Sequence, residues 1–480
     1  MPDPEFLTRA ECRPGGGQTR LNTITAPPVH RRKQVNDAAR NDSLGPLSRL
    51  LSRLAPIRPA ETAAVVAAFV LFFCMWSGYF AVRPVRETIG TIIGRDKLAN
   101  VWIITSIASV LIIPLYGAVV ARFRRSTFLP WAYGIVAIVL ALTGMSLRGD
   151  EINLTAGTFF YVFISVVNLF LLSVFWSFLL ELFDRQQTKR LFGVIAAGGS
   201  AGALCGPLVS DLAVGTIGNS GVLFFGAALF VAAIFCQRIL LRIWSGRTDA
   251  ANKAEDRPIG GNPFAGVTLI LRSPYVLGIA LFVVFISMVN TLLYFEQLRL
   301  VELTFPALEN RTRIFARFDW IVQSLTLISQ VFLTGRIAAR FGVKTLITFV
   351  PVIMIFAFGA LAASGAFMVL TVVVILRRSL EYAFVRPGRE MLWSPLDKET
   401  KYKAKNTVDV PVYRGSDALS AQVNNLVASA GLGAGAVAWL GAGVAATWAL
   451  LGWWLGRRFE DHEKLQGDRA QSPIQSQAHS

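Results

Sequence analysis

Long apolar runs separated by short polar connections occupy most of the chain between residues 61 and 456. A helix that crosses a bilayer needs about 20 mostly apolar residues, and about twelve of these runs are long enough. The pattern therefore predicts an all-α membrane protein with about twelve transmembrane helices. The predicted spans lie near 61–90, 100–121, 127–147, 157–182, 190–214, 218–241, 274–297, 314–338, 343–363, 366–391, 408–431 and 434–456.

The segments outside the predicted spans are polar. Residues 1–57 are rich in Pro, Gly, Asn and Arg, so we expect a disordered basic cytoplasmic tail. Within it, leucines at helical spacing over 47–54 flank two arginines and predict a short amphipathic helix on the membrane surface. Residues 242–273 are predicted to form a cytoplasmic linker that includes a second surface helix, and residues 458–480 a polar C-terminal tail.

The composition excludes a soluble globular protein. Hydrophobic residues make up 54% of the chain, charged residues only 16%, and the mean hydropathy is +0.52. The cysteines have neither metal-type nor paired spacing, the three histidines lie in the predicted tails, and no phosphate-binding P-loop is present. We therefore expect no metal site, no cofactor and no catalytic residues. The cysteines are Cys12, Cys74, Cys205 and Cys236.

The net charge of +17 follows the connections between spans. Basic residues concentrate in alternate connections, whereas those around Asn219 and Ser364 carry no charge. The positive-inside rule therefore places both termini and the linker in the cytoplasm of a multi-pass protein of the bacterial inner membrane. Because topology explains much of the charge, no nucleic-acid partner is expected. The basic connections are 122–125, 184–190, 242–272, 336–344 and 398–405.

The two halves of the chain repeat one another in outline. The connection after the second span reads Gly117-Ala-Val-Val-Ala-Arg122-Phe-Arg-Arg125, and the one after the eighth reads Gly335-Arg-Ile-Ala-Ala-Arg340-Phe-Gly-Val-Lys344. Since these turns lie six spans apart, the sequence predicts two six-helix halves, residues 58–241 and 274–457. A basic turn of this form between the second and third helices resembles the major facilitator superfamily.

Two similar charged phrases end apolar runs. The first reads Tyr79-Phe-Ala-Val-Arg83-Pro-Val-Arg86-Glu87, and the second reads Tyr382-Ala-Phe-Val-Arg386-Pro-Gly-Arg389-Glu390. On a helix, each Arg-x-x-Arg-Glu group projects to neighbouring faces. Arginines that line a cavity offer planar bidentate donors to phosphate or carboxylate, whereas arginines at a helix end can extend to the membrane surface. The sequence leaves both alternatives open, and also whether the two phrases face one cavity.

Further charges lie within or beside the predicted spans, where burial is costly and function is common. Each has an alternative structural explanation: Glu181 can pair with Lys189 or Arg190, and Glu296 with Arg299 three residues later. Arg377, Arg378 and Glu381 come about midway along the tenth span, where interior burial is expected. Together with Glu87, the candidates for coupling or gating are Glu181, Glu296, Glu381, Asp409 and Asp417, and Arg414 joins the arginines as a substrate-binding candidate.

Four further phrases stand out along the chain: Val82-Arg83-Pro84-Val85-Arg86-Glu87-Thr88, Phe175-Trp176-Ser177-Phe178-Leu-Leu-Glu181, Lys189-Arg190-Leu191-Phe192-Gly193 and Lys405-Asn406-Thr407-Val408-Asp409-Val410. Together they resemble the nucleotide translocases, the ATP:ADP or NTP/NDP antiporters of plastids and intracellular bacteria. The resemblance covers most of 61–456 and implies a major facilitator fold, with Arg83, Arg86, Glu87 and Thr88 at the positions of the family's first-helix Arg-x-x-Lys-Asp-Thr phrase.

One position departs from the family pattern. The eleventh-helix phrase of the family continues Arg-x-Gly-Lys-Ser, whereas Arg414-Gly-Ser-Asp417 places an acid where the lysine stands. An aspartate there would repel a polyphosphate, so the resemblance implies the fold more firmly than the substrate.

The sequence therefore predicts a secondary active transporter that moves an organic anion, with phosphorylated solutes among the candidates, by alternating access. Arg83 and Arg86 would bind the anion, Arg386 and Arg389 are second candidates, and protons or a counter-substrate would drive transport. The alternatives are NTP/NDP antiport and a non-transporting component such as a lipid scramblase or a receptor. Besides the solute, the expected contacts are with membrane lipids.

Overall fold

The computed structural model describes residues 57–122, 125–148, 153–244 and 265–477. Within these ranges the chain is helical and contains no strand, which confirms the predicted all-α class. The predicted N-terminal tail, including its helix at 47–54, lies outside the described residues except for residue 57, and so does most of the predicted linker. The described helices from residue 60 onward belong to one compact unit.

The long helices of the described chain form twelve rods, and each of the predicted spans coincides with one of them. Three short helical pieces continue α8, α10 and α11 without a break, as detailed below. The rods in chain order are α1 Thr62–Ile93, α2 Arg95–Arg122, α3 Arg125–Ser146, α4 Leu154–Leu182, α5 185–217, α6 219–244, α7 Pro274–Thr304, α8 308–341, α9 343–364, α10 367–391, α11 398–429 and α12 Ala434–Gln477.

Three of the turns between the described rods consist of a single glycine, and the first of them, Gly94 between α1 and α2, has φ 82°. Helix Arg185–Trp244 is divided into α5 and α6 at Gly218, which has φ 65°, and helix Gly335–Ser364 is divided between α8 and α9 at Gly342, which has φ 74°. Residues other than glycine rarely adopt this backbone conformation, so glycine permits the chain to reverse within one residue.

Seven of the described segments are long and apolar enough to cross a membrane. Two of these seven, Gln186–Trp244 and Leu308–Ser364, contain two rods each. Outside the seven, α10 carries Arg377, Arg378 and Glu381 within its length. The protein is therefore a multi-pass membrane protein whose rods are not equally apolar.

Successive rods run antiparallel, so their connections alternate between two ends of the bundle. We call the end where α1 begins and where residues 245–273 join α6 to α7 the linker end. The opposite end, which carries the turns at Gly94, Gly218 and 305–307, is called the far end. The short helix Ala265–Arg272 precedes α7, and α12 continues as a helix through most of the predicted polar tail.

The first rod is packed tightly against α5 and α6, and this contact is the most extensive between described helices. Glycines on one face of α5 make it possible: a Cβ atom on Gly198 would lie 2.4 Å from the Phe69 carbonyl oxygen, and one on Gly202 would lie 2.5 Å from the Phe73 carbonyl oxygen. Small residues of this kind let helix backbones approach closely in membranes. The position of α1 is therefore fixed by backbone contact with α5.

Three rods include a π-helical turn: Gln330–Thr334 in α8, Glu381–Val385 in α10 and Val408–Val412 in α11. In α10 the cause is Pro387, which has no N–H and leaves the Ala383 carbonyl without its usual donor. The Thr334 hydroxyl donates to this carbonyl at 2.9 Å, and the Gln330 amide donates to the Tyr382 carbonyl at 3.2 Å. Side chains of one π-turn thus satisfy the backbone of the next.

Candidate functional site

A cavity of about 950 Å³ lies between rods of the two predicted halves. It reaches from Glu87 and Tyr294, deep in the bundle, to Trp76 and Arg389 toward the linker end. Side chains of eight rods form its wall: α1, α2, α4, α5, α7, α8, α10 and α11.

The first Arg-Pro phrase lies on the cavity side of α1. Arg86 pairs with Glu87 and donates to the Ser165 hydroxyl at 3.2 Å. Arg83 lies 3.7 Å from Glu87 and donates to Asp319 of α8 at 3.2 Å. The alternative in which these arginines extend to the membrane surface is therefore wrong, because both line the cavity.

A chain of hydrogen bonds fixes the carboxylate of Glu87, which is 6% exposed. Tyr294 of α7 donates to Glu87 at 2.6 Å, and its hydroxyl lies 2.7 Å from the hydroxyl of Tyr161 on α4. Trp102 of α2 donates in turn to Tyr161 at 2.9 Å. The carboxylate is thus held by groups from both predicted halves.

The second phrase faces the same cavity. Arg386 lies 3.4 Å from Glu381 and stacks on the Tyr382 ring at 4.2 Å, while Arg389 pairs with Asp409 of α11 at 3.2 Å. The π-turn directly before Arg386 helps to aim these side chains, because an extra residue in a turn rotates everything after it. The glutamate of this phrase, Glu390, pairs with Lys405 outside the cavity wall.

The pair on α11 forms as its spacing predicts. Arg414 lies 3.4 Å from Asp417, and the Ser287 hydroxyl of α7 donates to the other carboxylate oxygen of Asp417 at 2.5 Å. Both Arg414 and Asp417 line the cavity. The acid at the position of the family lysine therefore has its charge offset by a neighbouring arginine.

Two predicted residues are not brought to the cavity. Glu181 is exposed near the linker end of α4 and is absent from the cavity wall. Glu296 is buried, but it pairs with Arg299 at 2.5 Å away from the cavity wall. The structural explanation given for Glu296 is thus the one observed.

The most informative acid missed by the sequence is Asp319 of α8, which is 3% exposed and follows Arg317 by two positions. It accepts from Arg83 at 3.2 Å and from Arg378 of α10 at 2.6 Å. A carboxylate within the predicted span 314–338 was the available signal, since such residues are costly to bury and commonly functional. The tyrosines of the wall had no comparable signal.

The family model of the Major Facilitator Superfamily matches residues 65–385 of the chain, which is more than half of its length. The chain belongs to the major facilitator superfamily. Its twelve described rods and its cavity between two sets of helices are therefore those of a secondary transporter, not of an enzyme family.

Curated relatives of this major facilitator chain are nucleotide carriers by name. It is 25% identical over 442 residues to ADP,ATP carrier protein 1 of Chlamydia trachomatis serovar D, covering 77% of this chain and 83% of the relative. It is 24% identical to ADP,ATP carrier protein 1 of Chlamydia muridarum, covering 77% of this chain and 82% of the relative. These similarities confirm the resemblance to nucleotide translocases.

Solved structures of other transporters share the fold. The nucleoside transporter NupG superposes with a TM-score of 0.60 at 15% identity, covering 82% of this chain and 98% of NupG. A bacterial homologue of the lysosomal transporter Spinster, in an inward-facing and unoccupied conformation, superposes with a TM-score of 0.55 at 14% identity, covering 85% and 99%. At these identities the likeness shows the fold alone.

The cavity of this transporter has an excess of positive charge. Six arginines and four carboxylates line it, so its wall carries two more positive than negative groups. Among the described residues, no cluster of acids, histidines and cysteines has the composition of a metal site. The arginines are Arg83, Arg86, Arg377, Arg386, Arg389 and Arg414, and the carboxylates are Glu87, Glu381, Asp409 and Asp417.

On α1, aromatic side chains cover the part of the wall between Arg83 and the linker end. Trp76 packs edge-on against Tyr79 at 5.5 Å and contacts Phe80 at 5.3 Å, with the guanidinium of Arg83 5.9 Å from the Phe80 ring. One face of α1 thus presents aromatic rings first and guanidiniums deeper in the bundle.

Proposed function

We propose that this transporter exchanges organic anions, phosphorylated compounds among them, across the bacterial inner membrane by alternating access. The observation that supports the proposal is the arginine-rich cavity, because guanidiniums bind phosphate and carboxylate through paired N–H donors. Both termini would lie in the cytoplasm, as the distribution of basic connections predicts.

The arginines would hold the anion from both sides of the cavity. Arg83 and Arg86 project from α1, whereas Arg386 and Arg389 project from α10 and Arg414 from α11. An anion between them would contact both predicted halves, so their relative movement would carry it across the membrane. Each arginine already has a carboxylate partner, and the incoming anion would replace part of that interaction.

Counterflow in proteoliposomes tests this proposal. Vesicles loaded with ADP would be given labelled ATP, and a parallel series would use a dicarboxylate and a sugar phosphate on both sides. We expect uptake that needs an internal anion and that falls at least about tenfold in Arg86→Ala, since a lost charged hydrogen bond costs about 1.5–3 kcal/mol. Arg340→Ala, at an exposed position of α8, is the matched control.

No saturable uptake of any of these anions by folded, inserted protein would overturn the proposal. A scramblase or a receptor would also be indifferent to Arg86→Ala, so the same comparison separates those alternatives. If uptake requires a proton gradient and no internal anion, the transporter still binds anions, but protons drive the transport.

Nucleotide exchange is the second candidate, and two observations favour it. The ADP,ATP carriers of Chlamydia are similar over most of this chain, and the aromatic face of α1 lies beside the arginines, as base and phosphates require. The aspartate at the family's lysine position opposes it, although Arg414 and Ser287 hold that aspartate.

Trp76→Ala tests nucleotide exchange directly. Stacking of a base on an aromatic side chain contributes about 1–3 kcal/mol. The concentration of ADP needed to inhibit uptake should therefore rise about tenfold or more, while the concentration of pyrophosphate needed is unchanged. Trp131→Ala, with a side chain that is 70% exposed on α3, is the control. Equal weakening for ADP and pyrophosphate would argue against a nucleotide substrate.

A further inference from the structure

Asp319 of α8 connects the cavity to the contact between the predicted halves. Its Oδ1 atom accepts from Arg83 of α1 and from Arg378 of α10, whereas its Oδ2 atom has no hydrogen-bond partner among the described residues. Arg83 lines the cavity, but Asp319 and Arg378 lie behind it and are 3% and 8% exposed. An anion in the cavity would therefore contact Arg83 directly, and it would affect Asp319 only by changing the bond between Arg83 and Asp319.

The partners of Asp319 keep the cost of its separation from Arg83 below that of breaking an isolated buried ion pair. A buried carboxylate that loses its only cation is strongly destabilised, but Asp319 would keep the bond of 2.6 Å to Arg378. Arg83 also has a second carboxylate nearby, since its Nε atom lies 3.7 Å from Glu87. The ion pair between α1 and α8 can thus break without leaving a single unpaired charge on either side.

Other contacts between the predicted halves close the far end in this structure. The hydroxyls of Thr88 and Thr312 lie 2.6 Å apart, and Arg311 donates to the Thr91 hydroxyl at 2.8 Å. Arg317 donates to Asp211 of α5 at 3.1 Å. Unlike the pair of Arg83 with Asp319, none of these contacts includes a side chain of the cavity wall.

We propose that Asp319 makes opening of the far end depend on an anion in the cavity and so enforces exchange. In the empty transporter, Arg83 is bound to Asp319 and holds α1 against α8. A bound anion draws Arg83 away, Asp319 remains with Arg378, and the halves separate at the far end. An empty transporter would rarely open there, so net movement without a counter-substrate is suppressed. This inference rests on the proposed anion exchange.

The position of Arg83 explains how an anion can favour the open far end. A ligand shifts a conformational equilibrium only by its difference in affinity for the two states. An anion binds more tightly when Arg83 is free of Asp319, because the guanidinium then offers all its donors to the ligand. Arg83 is bound to Asp319 when the far end is closed and free when it is open, so binding of the anion favours the open state.

Cysteine labelling at the seam between α1 and α8 tests the role of Asp319. Thr312, Ala316 and Asp319 share one face of α8, and Ala316 is fully buried and outside the cavity wall. Ala316→Cys, in a protein whose four native cysteines are replaced by serine, reports opening by its reaction with a bulky maleimide in detergent. In the unmutated background, ADP or inorganic phosphate should raise the labelling rate at least about fivefold.

Asp319→Asn should raise labelling of the empty protein at least about fivefold and abolish the further increase with ADP or phosphate. Arg83→Gln breaks the same pair while keeping Arg378 with Asp319, so it should fold even if Asp319→Asn does not, and it should also raise labelling of the empty protein. Asp211→Asn is the matched control, because it breaks a contact between the halves that no cavity residue makes.

Empty-state labelling that is unchanged in both Asp319→Asn and Arg83→Gln would overturn the proposal. The same holds if Asp211→Asn abolishes the response to anion as completely as Asp319→Asn does, since the effect would then come from loosening any contact. Failure of the proposed function appears differently: the unmutated background would not respond to ADP or phosphate, while the two variants would still open the empty protein.

Discussion

Asp417 shows how a single residue can change which anion a shared fold accepts. Its carboxylate lies in the cavity wall between Arg414 and the Ser287 hydroxyl. The negative charge weakens binding of a polyanion, and the same charge occupies an arginine that would otherwise be available to it. We therefore expect this position to set affinity more than mechanism.

Asp417→Asn should lower the KM for ADP by about three- to tenfold, because a charge of the same sign as the substrate is removed and Arg414 is released. The measurement is the concentration dependence of counterflow uptake. Ser287→Ala removes a hydrogen bond but keeps the charge, so its KM should stay within about twofold. Loss of transport in Asp417→Asn with binding of ADP retained would instead assign Asp417 to coupling.

At the scale of the element, the predicted spans and the unpredicted π-turns have different physical origins. Most of the twelve spans follow from the bilayer, because a crossing helix needs about 20 mostly apolar residues and such runs are visible in the sequence. The π-turns depend on pairing between distant segments, as when Thr334 satisfies the carbonyl freed by Pro387. No local pattern contains that information.

The same reasoning separates the predicted site residues from the missed ones. Arg83, Arg86, Arg386 and Arg389 stand out because they form repeated phrases at the ends of apolar runs. Asp319 belongs to no repeated phrase, and its partner Arg83 is 236 positions away in sequence. Glu181 was suggested by a family phrase, but its exposed position at the end of α4 shows that a matching phrase does not ensure a place in the cavity.

The packing of α1 on α5 gives a prediction at this scale. Gly202→Ala should destabilise the protein by roughly 1–3 kcal/mol, because the added Cβ would meet the Phe73 carbonyl oxygen at 2.5 Å and push α1 away. Thermal unfolding in detergent measures the change. Gly193→Ala on the same rod, where no atom lies within 4 Å of the added Cβ, should be neutral or slightly stabilising. Equal stability of the two variants would contradict the backbone contact.

At the scale of the whole molecule, the cavity and the closed far end describe one conformation of a transporter. The cavity extends toward the linker end, while contacts such as Thr88 with Thr312 join the halves at the far end. Transport by alternating access requires that these contacts separate in each cycle.

A reversible cross-link at the far end should therefore stop transport. The hydroxyls of Thr88 and Thr312 lie 2.6 Å apart, so cysteines at both positions are placed to form a disulfide. Oxidation of the double variant, in a background with the native cysteines replaced, should abolish counterflow uptake, and a reductant should restore it. The single variants are the controls. Uptake by fully cross-linked protein would show that the far end need not open.

The single-residue turn at Gly218 has a mechanical consequence for such a cycle. Because only one residue connects them, α5 and α6 cannot slide along each other, and we expect the pair to move as a rigid body. Since α1 is wedged against that pair by the glycines of α5, a tilt of the pair carries Arg83 and Arg86 with it. The anion-binding arginines of α1 would then move together with α5 and α6 during the transport cycle.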